Sequence, residues 1–122
     1  MMTARILTYL LAVIFLASGA AKLIGLPFET EAFARWGYPV EFMYLTGVLE
    51  LAGAVGLLLP RLSALAALCL AALMLGAVGT HVLHAEWVMA GVALAIQLTA
   101  FWCGWRGRGE VLRLFGRGST VR

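Results

Sequence analysis

Few residues in this chain could do chemistry, and they stand alone in apolar surroundings. Glu50 lies in "YLTGVLELAGAVGLLLP" (residues 44–60) and is the single charge between Glu41 and Arg61. Lys22 is the single charge between Arg5 and Glu29. His81 and His84 share one helical turn in "GTHVLHAE", and Gln97 interrupts another uncharged run. A carboxylate in such a run can carry a proton, bind a ligand or close a salt bridge. Its cost is informative: a central acidic or basic side chain is disfavoured by about 2.5–3.5 kcal/mol on insertion scales, so it faces a partner or a cavity. On a helix, Thr46 at i−4 and Gly53 at i+3 share the face of Glu50, which makes that face small and polar. Lys22, whose long stem can either snorkel outward or bend inward, is the expected partner, and pairing offsets part of both desolvation costs. Two uses remain open: an ion pair that only fixes helix packing, or a proton-linked or ligand-binding carboxylate.

The other polar residues point to fewer uses. The histidines supply two ligands of a tetrahedral metal set, with Glu86 close by and no Cys or Asp to complete it. Hydrogen bonds to headgroups or loop backbone are their favoured role, and His81, the deeper of the two, can border the Glu50 cavity. Gln97 falls at a depth similar to Glu50 and is expected to bond across to a neighbouring helix. Cys69 and Cys103 form no Cys-x-x-Cys pair, which disfavours a thiol oxidoreductase of the vitamin K epoxide reductase type. No glycine-rich phosphate loop, nucleophile elbow or His-Glu-x-x-His motif occurs.

The elements that must position these groups follow from composition. The chain has 122 residues, 63% hydrophobic and 12% charged, with mean hydropathy +0.97. A soluble domain is about half apolar and about a quarter charged, and a core this small cannot hide the excess from water. The excess must face lipid. Four apolar stretches, at about 4–24, 40–59, 62–84 and 86–105, each approach the ~20 residues that cross a bilayer as helix. Short turns at "PR" (residues 60–61) and near Ala85 favour an all-α, up-down-up-down four-helix membrane bundle. Small residues recur where its backbones could approach: Gly47, Ala54, Gly76, Thr80 and Gly91.

The longest connection, "GLPFETEAFARWGYP", is expected to form a short interfacial helix after Pro27. Phe28, Ala32, Phe33 and Trp36 fall on its apolar side, and Glu31 and Arg35 pair on the other. The net charge of +3 could suggest nucleic acid, but the basic residues sit at the ends of apolar runs. Membrane orientation accounts for them better. With both termini cytoplasmic, the inner side holds Arg5, Arg61, Arg106, Arg108, Arg113, Arg117 and Arg122, and the outer side only Lys22 and Arg35. The first span also imitates a secretory signal peptide, with "ASGAAK" as its cleavage site, but cleavage would leave three spans. The tail from 106 to 122 is basic and glycine-punctuated, which reads as a disordered or surface-adsorbed cytoplasmic end.

"ASGAAKLIG", "WGYP", "GVLELAGAVGLLLPR" and "LMLGAVGTHVLH", in this order and spacing, resemble the DoxX-like family of small four-helix membrane proteins across about residues 5–105. The resemblance implies a bacterial inner-membrane protein with a polar site at Lys22, Glu50, Thr80 and His81. In that family the related DoxD is associated with a thiosulfate:quinone oxidoreductase, and other members with redox or sulfur-stress complexes. The soluble parts expected of the thiosulfate enzyme are not in this sequence, so what carries over is a site without a reaction.

Three functions remain in play. The first is an accessory subunit, without catalysis of its own, of a membrane redox or stress-related system, with a quinone or lipid near Glu50. The second is a proton-coupled transporter of small molecules, and the third an assembly factor acting by helix packing. The expected site comprises Lys22, Thr46, Glu50, Thr80, His81 and Gln97, with no metal; the cofactor is open, as is assembly into a homo-oligomer.

Overall fold

Lipid offers no partner to a backbone amide, so a chain this apolar can span only by closing its hydrogen bonds within helices. The computed structural model describes residues 2–120, with side chains through residue 115, and this part is built from six helices. They are α1 (Met2–Ile24), α2 (Pro27–Trp36), α3 (Val40–Leu58), α4 (Ser63–Leu83), α5 (Trp87–Arg106) and α6 (Arg108–Thr120). α1, α3, α4 and α5 are each long and apolar enough to cross a bilayer. α1 packs chiefly on α3 and α4 on α5, and α3–α4 and α1–α5 contacts join the two pairs. The short connectors at 59–62 and 84–86 suit spans that alternate in direction.

The buried stripes advance by alternating three- and four-residue steps, the spacing of a bundle seam. On α3 the stripe is Met43, Gly47, Glu50, Ala54 and Leu57. On α1 it includes Ala12, Phe15, Gly19 and Lys22. Every polar candidate therefore has to be judged by whether it falls in a seam. Gly19 and Gly47 set the closest approach: a Cβ on Gly19 would stand 2.8 Å from the Gly47 carbonyl oxygen, and one on Gly47 2.9 Å from Lys22 Cβ. Gly76 and Gly91, expected at such contacts, lie on open faces where an added Cβ meets nothing within 4 Å.

α2 lies across one end of the bundle. Pro27 starts it, since its fixed φ suits the first turn and its missing N–H costs nothing there. Gly37, at φ 83°, ends it in the left-handed conformation that a side chain resists. Ala85 takes that conformation without being glycine, at φ 57°. This turns the chain so that the Glu86 amide bonds back to the His81 carbonyl at 2.8 Å.

The tail, expected to be disordered or surface-adsorbed, is helical over Arg108–Thr120, as α6. Glycines weaken a helix by about 1 kcal/mol each. Here the helix starts against aromatic anchors: Arg108 lies over Trp105 at 4.6 Å and donates to its carbonyl at 2.9 Å, and Arg106 lies over Trp102 at 5.0 Å. Leu112 and Phe115 face outward, as on a surface-adsorbed helix. Arg122 and the side chain of Arg117 lie outside the described residues.

Candidate functional site

A cavity of about 610 Å³ lies beneath α2, between the four spans. Phe15 and Met74, both buried, line its deep end, and Phe28, Phe33 and Phe42 its apolar wall. Two polar clusters face each other across it.

The first joins α1, α2 and α3. The heptad-like stripes bring Lys22 and Glu50 to the same seam, with Lys22 Nζ 3.1 Å from Glu50 Oε1. Ser18, one turn before Lys22, donates to the same carboxylate oxygen at 2.8 Å and accepts from Lys22 at 2.8 Å. Glu29 on α2 completes the ring, its Oε2 3.4 Å from Lys22 Nζ. One ammonium is thus shared among three oxygens, and Lys22, Glu29 and Glu50 are all buried. The long stem of Lys22 bends inward rather than reaching out to headgroups.

The second cluster joins α2, α4 and the turn before α5. His81 Nδ1 donates to Glu86 Oε1 at 2.7 Å, the Trp36 indole donates to the Glu86 carboxylate at 3.2 Å, and Arg35 pairs with it at 3.0 Å. Tyr38 and Thr80 hydroxyls meet at 2.8 Å. The expected Glu31–Arg35 pair gives way to Arg35–Glu86, because the turn at Ala85 places a carboxylate beside the end of α2. The His81 hydrogen bond above all, with Trp36 and Arg35 beside it, outweighs partial burial and lowers the Glu86 carboxyl from 4.5 to about 2.

A carboxyl lowered on folding adds stability that is fully present above its ordinary pKa and fades as pH falls through the folded value. The α2 clasp is therefore expected to hold above pH 4.5 and loosen only toward pH 2. Fluorotryptophan at position 36 reports this by fluorine NMR: its resonance should move in that acidic window in the native chain and show no such step in Glu86→Gln. A step at the ordinary carboxylate midpoint would mean that Glu86 is unclasped.

Of the residues expected from sequence, Lys22, Thr46, Glu50, Thr80 and His81 line this cavity. Thr46 spends its hydroxyl on the Phe42 carbonyl at 2.8 Å, so it shapes the wall without offering a donor. Gln97 is buried yet does not line the cavity, and its amide meets no hydrogen-bond partner among the described residues. Its neighbours Ala93 and Ile96 do line the cavity, so Gln97 lies beside that wall without facing into it. His84 turns away from His81 and donates to the Thr80 carbonyl at 2.9 Å. Glu29, Glu86, Trp36 and Tyr38 are lining residues that depth and spacing did not select, and Ser18, which spacing puts on the face of Lys22, was not among the site candidates. Ser18 was legible from its i, i+4 relation to Lys22; Glu29 and Glu86 are loop-flanking acids whose inward turn depends on where α2 docks.

Four lipid-facing spans around a polar cavity define a small multi-pass membrane protein. The DoxX-like family pattern matches residues 6–104, and the chain belongs to that family. It is similar to the uncharacterised protein YdgD of Bacillus subtilis (strain 168), 36% identical over 91 residues that cover 71% of this chain and 77% of that protein. No solved structure matches it.

Proposed function

We propose that this protein is an accessory, non-catalytic subunit of a bacterial inner-membrane redox or stress-related system. It holds a small amphiphile, a quinone or a lipid, in the cavity under α2. The observation that carries the reading is the Lys22–Glu50–Glu29 cluster, a costly set of buried charges at the wall of an aromatic-lined space of ligand size. The two free cysteines are Cys69, exposed, and Cys103, buried, so neither stands as half of a vicinal redox pair. Both termini face the cytoplasm in this reading, following the excess of arginine at that end.

Extraction of the native protein with its surrounding bilayer into polymer discs, followed by mass spectrometry, tests the proposal. The expected result is a co-isolated redox protein and an enriched quinone or lipid that is depleted in Lys22→Met/Glu50→Gln. Discs that carry neither partner nor enriched small molecule contradict it. Proton-coupled export of cations is less favoured, because Lys22 already occupies Glu50 and repels a cationic substrate.

A further inference from the structure

We infer that the cavity selects a neutral amphiphile bearing hydroxyl groups, taken up as a hydrogen-bond donor; the inference rests on the binding role proposed above. Its basis is which polar atoms are already engaged. Both contacts to Glu50 fall on Oε1, from Ser18 at 2.8 Å and Lys22 at 3.1 Å. Oε2 has no partner among the described residues, although the Glu50 side chain is only 7% exposed and lines the cavity. No fully occluded side-chain nitrogen or oxygen lacks a partner among the described residues, so Oε2 opens onto the cavity itself. His81 repeats the pattern on the facing wall. Nδ1 is held by Glu86, which leaves Nε2 unengaged on a side chain 10% exposed.

Apart from the half-exposed Arg35, which gives its Nε–H to Glu86, the donors of the lining are spent. The Lys22 ammonium meets Ser18, Glu29 and Glu50. The Ser18 hydroxyl serves Glu50, and the Trp36 indole serves Glu86. Tyr38 and Thr80 bond each other, leaving a single hydroxyl proton between them. A buried acceptor left unmet is costly, so the favoured ligand is one that supplies donors and can also accept once. Hydroxyl groups do both. The carboxylates of Glu29, Glu31, Glu50 and Glu86 outnumber Lys22 and Arg35 and disfavour an anion, and the Lys22 ammonium beside Glu50 disfavours a cation at that carboxylate, which leaves a neutral ligand. The phenylalanine wall takes the apolar body. For a ligand with interconvertible carbonyl and hydroxyl forms, the hydroxyl form is the one held.

The test uses full-length protein in lipid nanodiscs and three probes with one body: para-octylphenol, its methyl ether para-octylanisole, and para-octylacetophenone. Binding is measured above that to empty discs. The phenol is expected to bind about tenfold tighter than the ether or more, the worth of one hydrogen bond to a charged acceptor. Glu50→Gln, with its amide oxygen toward Lys22, puts an N–H donor where Oε2 stood. It should shift preference from the phenol to the acetophenone carbonyl. His81→Phe, tested separately in case Glu50→Gln misfolds, should weaken phenol binding and leave the ether unchanged. Equal binding of phenol and ether, or native preference for the carbonyl probe, overturns the inference while leaving a binding cavity intact. No binding of any probe above empty discs sinks the binding role and this inference together.

Discussion

Lys22→Met is expected to be the most damaging single substitution in the bundle, with a loss of about 3–5 kcal/mol, the usual cost of removing one partner from a buried ion pair. The substitution keeps the apolar stem but strips the ammonium from three oxygens at once. Two buried carboxylates, Glu29 and Glu50, are then left without a cation. Glu50→Gln should cost less, because Lys22 keeps Glu29 and Ser18 and the amide can still accept. The double variant Lys22→Met/Glu50→Gln should be more stable than Lys22→Met alone, since it removes one of the two stranded charges. Thermal unfolding of the three variants in one detergent gives the order. A Lys22→Met protein as stable as the native one would place the ammonium among headgroups rather than in the cluster.

Gly19→Val carries the second large effect. Its Cβ would meet the Gly47 carbonyl oxygen at 2.8 Å and the Leu51 amide nitrogen at 3.1 Å. These are backbone atoms that cannot rotate away, so α1 and α3 must part. Overpacking of this kind costs about 1–3 kcal/mol. The parting also widens the gap between Lys22 and Glu50, which lie just beyond the contact, so the substitution should weaken amphiphile binding as well as stability. Gly91→Ala is the control. No heavy atom lies within 4 Å of its added Cβ, and its unfolding temperature should be unchanged or slightly raised. Equal damage at both positions would refute the close α1–α3 contact.

The contrast between these glycines explains what the sequence could and could not convey. In a soluble helix the inward face is marked by hydrophobicity. Here the spans are apolar on every side, with Leu45, Leu75 and Leu98 exposed on faces that meet lipid. The inward seam is marked instead by small and polar residues, which is why Lys22 and Glu50 could be brought together from spacing and cost alone. Small size by itself misleads: Gly47 sits in a contact, while Gly76 and Gly91 do not. Depth counted along the sequence also misleads, since Gln97, expected near the level of Glu50, does not line the cavity.

The polar contacts of α2 were hidden for a different reason. Glu29 and Glu86 read as interfacial charges, and only the docking of a ten-residue helix across the bundle end converts them into partners of Lys22 and His81. That docking rests on long-range contacts such as Trp36–Glu86 and Tyr38–Thr80, which no local periodicity encodes. The tail is a similar case: its glycines argue for disorder, whereas stacking of Arg108 on Trp105 favours continuation as helix.

Lys22 is the one lysine of the chain, which gives the central claim a direct test. Solid-state NMR of the protein in bilayers can recouple its ζ-nitrogen with the δ-carbon of Glu50 without ambiguity on the nitrogen side. A close ion pair, with nitrogen 3.1 Å from a carboxylate oxygen, predicts strong dipolar dephasing that disappears in Gly19→Val. Absence of dephasing in the native protein, with the lysine signal showing exchange with bulk water, would contradict the paired cavity and the binding role built on it.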